Sequence, residues 1–298
     1  MNKVLSRLLI FFLGVPLSLF LALWKVYNHL PMHILITVIS ILGASELYNI
    51  FKAHTQLPPK PLVLTGVGLI PFFAGLIKVL PCITGKEFPF GNEIVTYFFI
   101  TLAIVFMVIE VLCAKDFKES NSRVAGSVFI LLYCGYFPTF ISKLTIAKAG
   151  TNDASGPLIL IFLLMVFLCD SLAWFFGVLL GKNNRGIVRA SPNKSIAGFI
   201  GGFLGSVCGG LVGYLIFKNT FEGAALSIAK IIITGVLIAA AGIVGDLIES
   251  IFKRSAGVKD SGKIVIGRGG ILDSIDSILL SAPVYYFCMA TFMGIVFA

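Results

Sequence analysis

Fourteen Asp and Glu residues stand in a chain of 298, few enough to be read one by one. Asp246, Glu249, Ser250 and Lys253 fall at i, i+3, i+4 and i+7, so they share one helix face. Ile243, Val244, Leu247, Ile248 and Ile251 fill the rest of that stretch, so two acids sit just inside an apolar run. Asp273 and Asp276 repeat the i, i+3 spacing where the next apolar run opens. Acids near a helix N-terminus are stabilising, but two carboxylates on one face repel each other. A divalent cation relieves that repulsion, and a small set of oxygen donors with room for water and phosphate suits magnesium. Asp170 lies deep in the apolar stretch FLCDSLAWFFG. A carboxylate at that depth needs a polar cavity, a cation or a hydrogen bond from a neighbouring helix. Glu46 and Glu110 lie near the ends of apolar runs, where snorkelling or pairing accounts for them. Glu87, Glu93, Asp116, Glu119, Asp153 and Glu222 read as solvated loop charge.

The elements that must carry these acids are nine apolar segments, at Leu8–Val26, Met32–Ile50, Leu62–Ile83, Ile94–Cys113, Val124–Ile141, Leu158–Leu180, Ile196–Phe217, Ala224–Phe252 and Ile275–Phe297. Each is near the ~20 residues that span a bilayer as a helix. The first has a basic start in Lys3 and Arg7, but its apolar run is long and no small-x-small cleavage site follows, so it reads as an uncleaved span. Gly177 and Gly181 in the sixth segment stand at the GxxxG spacing that lets helices pack closely.

Composition points the same way. Hydrophobic residues make up 58% of the chain and charged ones 12%; a soluble domain carries about 25% charged residues. A soluble fold, a disordered chain, a disulfide scaffold and a coiled coil are excluded together. The expected fold class is an all-α polytopic integral membrane protein of about nine transmembrane helices. Residues 1–155 would hold the N-terminal helices 1–5, and 156–298 the catalytic helices 6–9 with their cytoplasmic loops, in one integral membrane unit. Cys82, Cys113, Cys134, Cys169, Cys208 and Cys288 show no CxxC spacing and read as small apolar residues. His29, His33 and His54 all lie early in the chain, away from the acid pairs at 246–249 and 273–276, which argues against histidine catalysis.

The net charge of +9 reads first as topology. With the N-terminus in the cytoplasm, 16 of the 23 basic residues fall on the inner side and 7 on the other. The bias predicts an N-in, C-out chain. Nine of the sixteen crowd into two loops: Lys182, Arg185, Arg189 and Lys194 in one, and Lys253, Arg254, Lys259, Lys263 and Arg268 in the other. Topology alone does not require that concentration, and attraction to phosphate accounts for the rest. No internal repeat or soluble domain is visible, so the chemistry belongs at or inside the membrane.

The stretch SIFKRSAGVKDSGKIVIGRGGILDSID closely resembles the signature of phosphatidate cytidylyltransferases, which runs loosely S-x-x-K-R, K-D, a glycine-rich H-G-G turn and D-R-x-D. Ser250, Lys253, Arg254, Lys259, Asp260, Ser261, Gly262, Gly267, Gly269, Gly270, Asp273 and Asp276 match it. Two upstream blocks are also similar: DSLAWFFGVLLG with Asp170, and SPNKSIAG with Ser191, Pro192, Lys194, Ser195 and Gly198. The resemblance covers about residues 160–297. Three positions depart from it: Arg268 stands for a histidine, Ser274 for an arginine and Ala197 for a glutamate common among relatives.

The resemblance implies transfer of CMP from CTP to phosphatidic acid, giving CDP-diacylglycerol and pyrophosphate. It implies catalytic roles for Asp246, Lys253, Lys259, Asp260, Asp273 and Asp276. Substrate contacts would come from Asp170, Ser191, Lys194, Ser195, Arg254, Ser261, Lys263, Gly267, Arg268, Gly269 and Gly270. Asp246, Asp273 and Asp276, each at the cytoplasmic end of a span, are expected to converge on Mg2+, with room for a second, monovalent or divalent, cation. The glycine-rich turn lets backbone approach a phosphate but is not a Walker loop, which needs GK[ST] opening a helix. The expected partners are CTP, phosphatidic acid in the membrane and a second copy of the chain as a homodimer, with no nucleic acid. The expected location is a bacterial inner membrane, with the active site facing the cytoplasm. A secondary transporter fits less well, because the polar residues gather at one interface and no inverted repeat is visible. A CTP-dependent polyprenol or phytol kinase and a non-catalytic paralogue are the remaining alternatives.

Overall fold

A computed structural model describes residues 14–86, 91, 93–222, 224–265 and 269–297. Eight helices in it are long and apolar enough to cross a membrane. They are α2 (Leu30–Lys52), α3 (Lys60–Thr84), α4 (Ile94–Cys113), the composite Ser120–Leu144, α7 (Ser155–Leu179), α8 (Ile196–Ile216), α9 (Ile228–Ser255) and α10 (Leu272–Phe292). The composite is built from α5 (Ser120–Ile130), a π-helical turn at Leu131–Tyr136 and α6 (Thr139–Leu144). The chain is therefore an all-α polytopic membrane protein. Eight of the nine expected segments coincide with these spans. Residues 8–13 of the first expected segment lie outside the described residues, and the part described is a short helix, α1 (Val15–Leu23).

Three departures have local causes. The π-helical turn ends just ahead of Pro138, and the Phe137 amide reaches back to the Leu132 carbonyl at 3.0 Å. A proline ring cannot sit over the carbonyl four residues earlier, and a wider turn absorbs that clash. The last helix stops at Phe292, five residues before the expected end, and the left-handed Gly294 (φ 64°) turns the chain into a strand. That strand, β3 (Val296–Phe297), pairs antiparallel with β1 (Ala147–Ala149), which also pairs with β2 (Asn152–Asp153). The β1–β2 hairpin turns at Gly150 (φ 60°), the conformation a two-residue hairpin loop requires.

Packing divides the described chain into two compact units. One gathers Lys25–Ser142 and Phe252–Ile275; the other gathers Pro16–Trp24, Lys143–Ile251 and the chain from Asp276. The first has an aromatic centre in which Phe51, Phe129 and Phe252 meet with ring centroids 5.2–5.7 Å apart. In the second, α7 and α8 run antiparallel with their backbones in contact. A side chain at Gly201 or Gly209 would place its Cβ 2.5 or 2.7 Å from the carbonyl oxygen of Leu172 or Leu164, and one at Gly205 would strike that of Leu168. This four-residue glycine stripe, ending at Gly213, does what GxxxG packing does in membranes, where dispersion and close approach replace the hydrophobic drive. It fixes the height of Asp170 on α7.

Candidate active site

The second unit holds the acidic cluster. Asp246 and Glu249 on α9 and Asp276 on α10 each offer a carboxylate oxygen, and the three atoms lie within 4.8 Å of one another. Glu249 is fully buried and Asp276 is 6% exposed. The i, i+3 spacing on α9 puts the first two on one face. Two glycines on the same helix admit α10: a side chain at Gly245 would put its Cβ 2.5 Å from the Asp276 carbonyl oxygen, and one at Gly242 would lie 3.3 Å from Ser281 Oγ. Lys194, on the loop before α8, forms an ion pair with Asp246 at 2.6 Å and offsets one of the three charges. The Ser250 hydroxyl lies 3.5 Å from the same carboxylate. Ser277, next to Asp276, donates to Asp170 Oδ1 at 3.4 Å, so the acid deep in α7 joins the edge of the cluster. Ser195 is buried and caps α8, its hydroxyl accepting from the Gly198 amide at 3.1 Å. Ser191 accepts the Lys194 amide through its carbonyl in the turn that presents the lysine.

The donor set of this cluster fits a hard divalent cation. All donors are oxygens, and two of the three side chains are out of water, where unpaired carboxylates are costly.

The first unit holds the rest of the glycine-rich segment. Asp273, in the first turn of α10, is paired with Lys253 Nζ at 2.6 Å. Its other oxygen accepts from the amides of Ser261 (2.9 Å) and Gly270 (2.7 Å). The Ser261 hydroxyl lies 2.9 Å from that oxygen and 3.0 Å from Glu46 Oε2. Asp273 is expected to join Asp246 and Asp276 on the metal; its partners within this unit are those named, and Glu249 is the acid grouped with Asp246 and Asp276 in the other. Lys259, Asp260 and Lys263 are exposed along the loop, and Arg254 is exposed with its guanidinium 3.5 Å from the Val258 carbonyl. Gly269 (φ 122°) forms an antiparallel bridge with Val265. Gly267 and Arg268 lie outside the described residues.

Two residues gain importance over the reading from sequence. Glu249 was visible as the middle of the Asp246–Lys253 face but was not assigned to the metal. Glu46, read as a span-end acid, accepts hydrogen bonds from residues more than 200 positions away. Its only signal in sequence is the one Asp170 also gave, an acid within an apolar run.

A family model for the cytidylyltransferase family matches residues 5–292. The chain belongs to the cytidylyltransferase family. It is 32% identical over 225 residues to a phosphatidate cytidylyltransferase of Thermotoga maritima, covering 76% of this chain and 79% of that protein. It is 43% identical over 125 residues to one of Staphylococcus haemolyticus, covering 42% and 46%. To one of Haemophilus influenzae it is 37% identical over 128 residues, covering 43% and 44%. The chain is thus a membrane-embedded nucleotidyltransferase. Family and relatives together favour phosphatidate cytidylyltransferase activity over a lipid kinase or a non-catalytic paralogue.

Proposed function

We propose that this chain transfers the cytidylyl group of CTP to phosphatidic acid in a bacterial inner membrane, with Mg2+ as its cation and the active site facing the cytoplasm. A phosphate-monoester oxygen of the lipid forms a bond to the α-phosphorus, the α–β phosphoanhydride bond breaks, and pyrophosphate leaves with that electron pair. The second pKa of a phosphate monoester is about 6, so the nucleophile is largely deprotonated and needs little general-base help. The barrier is electrostatic, since one polyanion attacks another, and catalysis falls to positioning and charge neutralisation.

The observation that carries this reading is the carboxylate trio Asp246, Glu249 and Asp276, the last two buried, with Lys194 against Asp246. A divalent cation held by these carboxylates would neutralise the triphosphate where the α-phosphorus is attacked. Lys194 can move from its carboxylate to a phosphate. Lys253, Lys259, Arg254 and Lys263 supply further positive charge along the glycine-rich segment. The charge bias of the loops supports N-in, C-out insertion, which places cytosolic CTP and leaflet phosphatidic acid at one interface.

The test is which phosphate of CTP enters the lipid. Purified protein given phosphatidic acid should incorporate label from α-labelled CTP and none from γ-labelled CTP. Label from the γ position into a lipid alcohol would favour a kinase, and no incorporation from either would favour a non-catalytic paralogue.

A further inference from the structure

Glu46 is 4% exposed, near the C-terminal end of the membrane-spanning α2. A carboxylate there is expensive unless donors replace water, and the donors come from the glycine-rich segment. The Ile271 amide donates to Oε1 at 3.1 Å and the Leu272 amide to Oε2 at 2.8 Å. Leu272 opens α10 and Ile271 directly precedes it, so no carbonyl of that helix can satisfy either amide. Ser261, on the other arm of the segment, brings its hydroxyl to 3.0 Å from Oε2. One carboxylate thus ties the start of α10 to the Lys259–Lys263 arm, and the backbone is shaped to receive it. A side chain at Gly262 or Gly270 would drive its Cβ into the Glu46 carboxylate, so glycine at both positions is a condition of this contact. The same Ser261 hydroxyl lies 2.9 Å from Asp273 Oδ2 and holds one proton for two carboxylates, so Glu46 also bears on the partner of Lys253.

We propose that Glu46 is a positioning residue for the reaction: it fixes where α10 begins and ties that start to Ser261, and so sets the placement of Ser261, Asp273 and Lys253 without touching substrate. The proposal rests on the cytidylyl-transfer reading, and two readouts keep their failures apart. The first is hydrogen exchange of the Ile271 and Leu272 amides, which does not depend on turnover. The second is kcat per folded molecule, with KM for CTP measured beside it.

Glu46→Ala is expected to speed exchange of the segment at least about tenfold and to lower kcat per folded molecule by about 10–100-fold, since misplacement of about an ångström costs that much. Glu46→Gln keeps one acceptor oxygen and should fall between wild type and alanine. Gly262→Ala, which displaces the carboxylate from the other side, should reproduce the loss with Glu46 intact and serves if the Glu46 variants fail to fold. Unchanged exchange in all three variants overturns the clamp. Faster exchange with wild-type kcat per folded molecule overturns the positioning role and leaves Glu46 a stabilising contact. An inactive wild type with the predicted exchange pattern would overturn the reaction and not the clamp.

Discussion

Each carboxylate near the site answers a different demand. Asp273 is satisfied by a lysine, a serine and two backbone amides. Asp246 is half-shared with Lys194, and Glu249 and Asp276 are packed beside it out of water. Three acids at one point are tolerable when a cation completes them, so Glu249 should matter as much as Asp246 and Asp276. Glu249→Gln keeps size and polarity and removes one charge. It is expected to lower kcat by about 10–100-fold or more and to raise the Mg2+ concentration needed for half activity, as loss of a ligand or its close support does. A titration of activity against Mg2+ in both proteins checks this, and an unchanged metal requirement would remove Glu249 from the site. The spacing on α9 already put Asp246, Glu249 and Lys253 on one face. Which acids meet across helices depends on how the helices pack, and periodicity in one segment cannot supply that. Glu46 shows this most clearly, since its partners are the amides of Ile271 and Leu272, at the far end of the chain.

Helix contacts made by glycine decide where the acids meet. On α9, Gly242 and Gly245 face Ser277, Ser281 and the Asp276 backbone, and the absence of side chains there brings Asp246 within reach of Asp276. Gly245→Ala should push α10 away and cost about 1–3 kcal/mol of stability, as overpacking does. It should also lower activity by more than the loss of folded protein explains. Val244→Ala, next in sequence but on an exposed face, should leave both near wild type. Thermal unfolding in detergent and specific activity measured on the same preparations separate the two effects. The spans themselves were plain from hydropathy, with the Ile94–Cys113 segment placed at its observed ends. The π-helical turn, the small sheet and the stop at Phe292 were not. They arise from Pro138, Gly150 and Gly294 acting in tertiary context, and apolar runs are read the same way whether a chain inside them is helix or strand.

The asymmetry of basic residues belongs to the whole molecule. It is a statement about membrane insertion, and the side on which the site opens follows from charge. A single cysteine at Lys263, which is exposed on the segment joining α9 to α10, should react with an impermeant maleimide only after the cytoplasmic face is opened. Labelling from outside intact cells would reverse the orientation.

The account joins one reaction to one place, and a single comparison tests both: the rate at which label from α-labelled CTP enters phosphatidic acid, in wild type and in Asp276→Asn, with Mg2+ saturating and folded protein matched by thermal unfolding. Asparagine keeps the shape and hydrogen bonding of a residue that is 6% exposed and removes only its charge. The account predicts rapid formation of labelled CDP-diacylglycerol by wild type and a loss of about 100-fold or more in the variant, the scale on which electrostatic stabilisation by one preorganised group is felt. Wild-type rates in Asp276→Asn would contradict it.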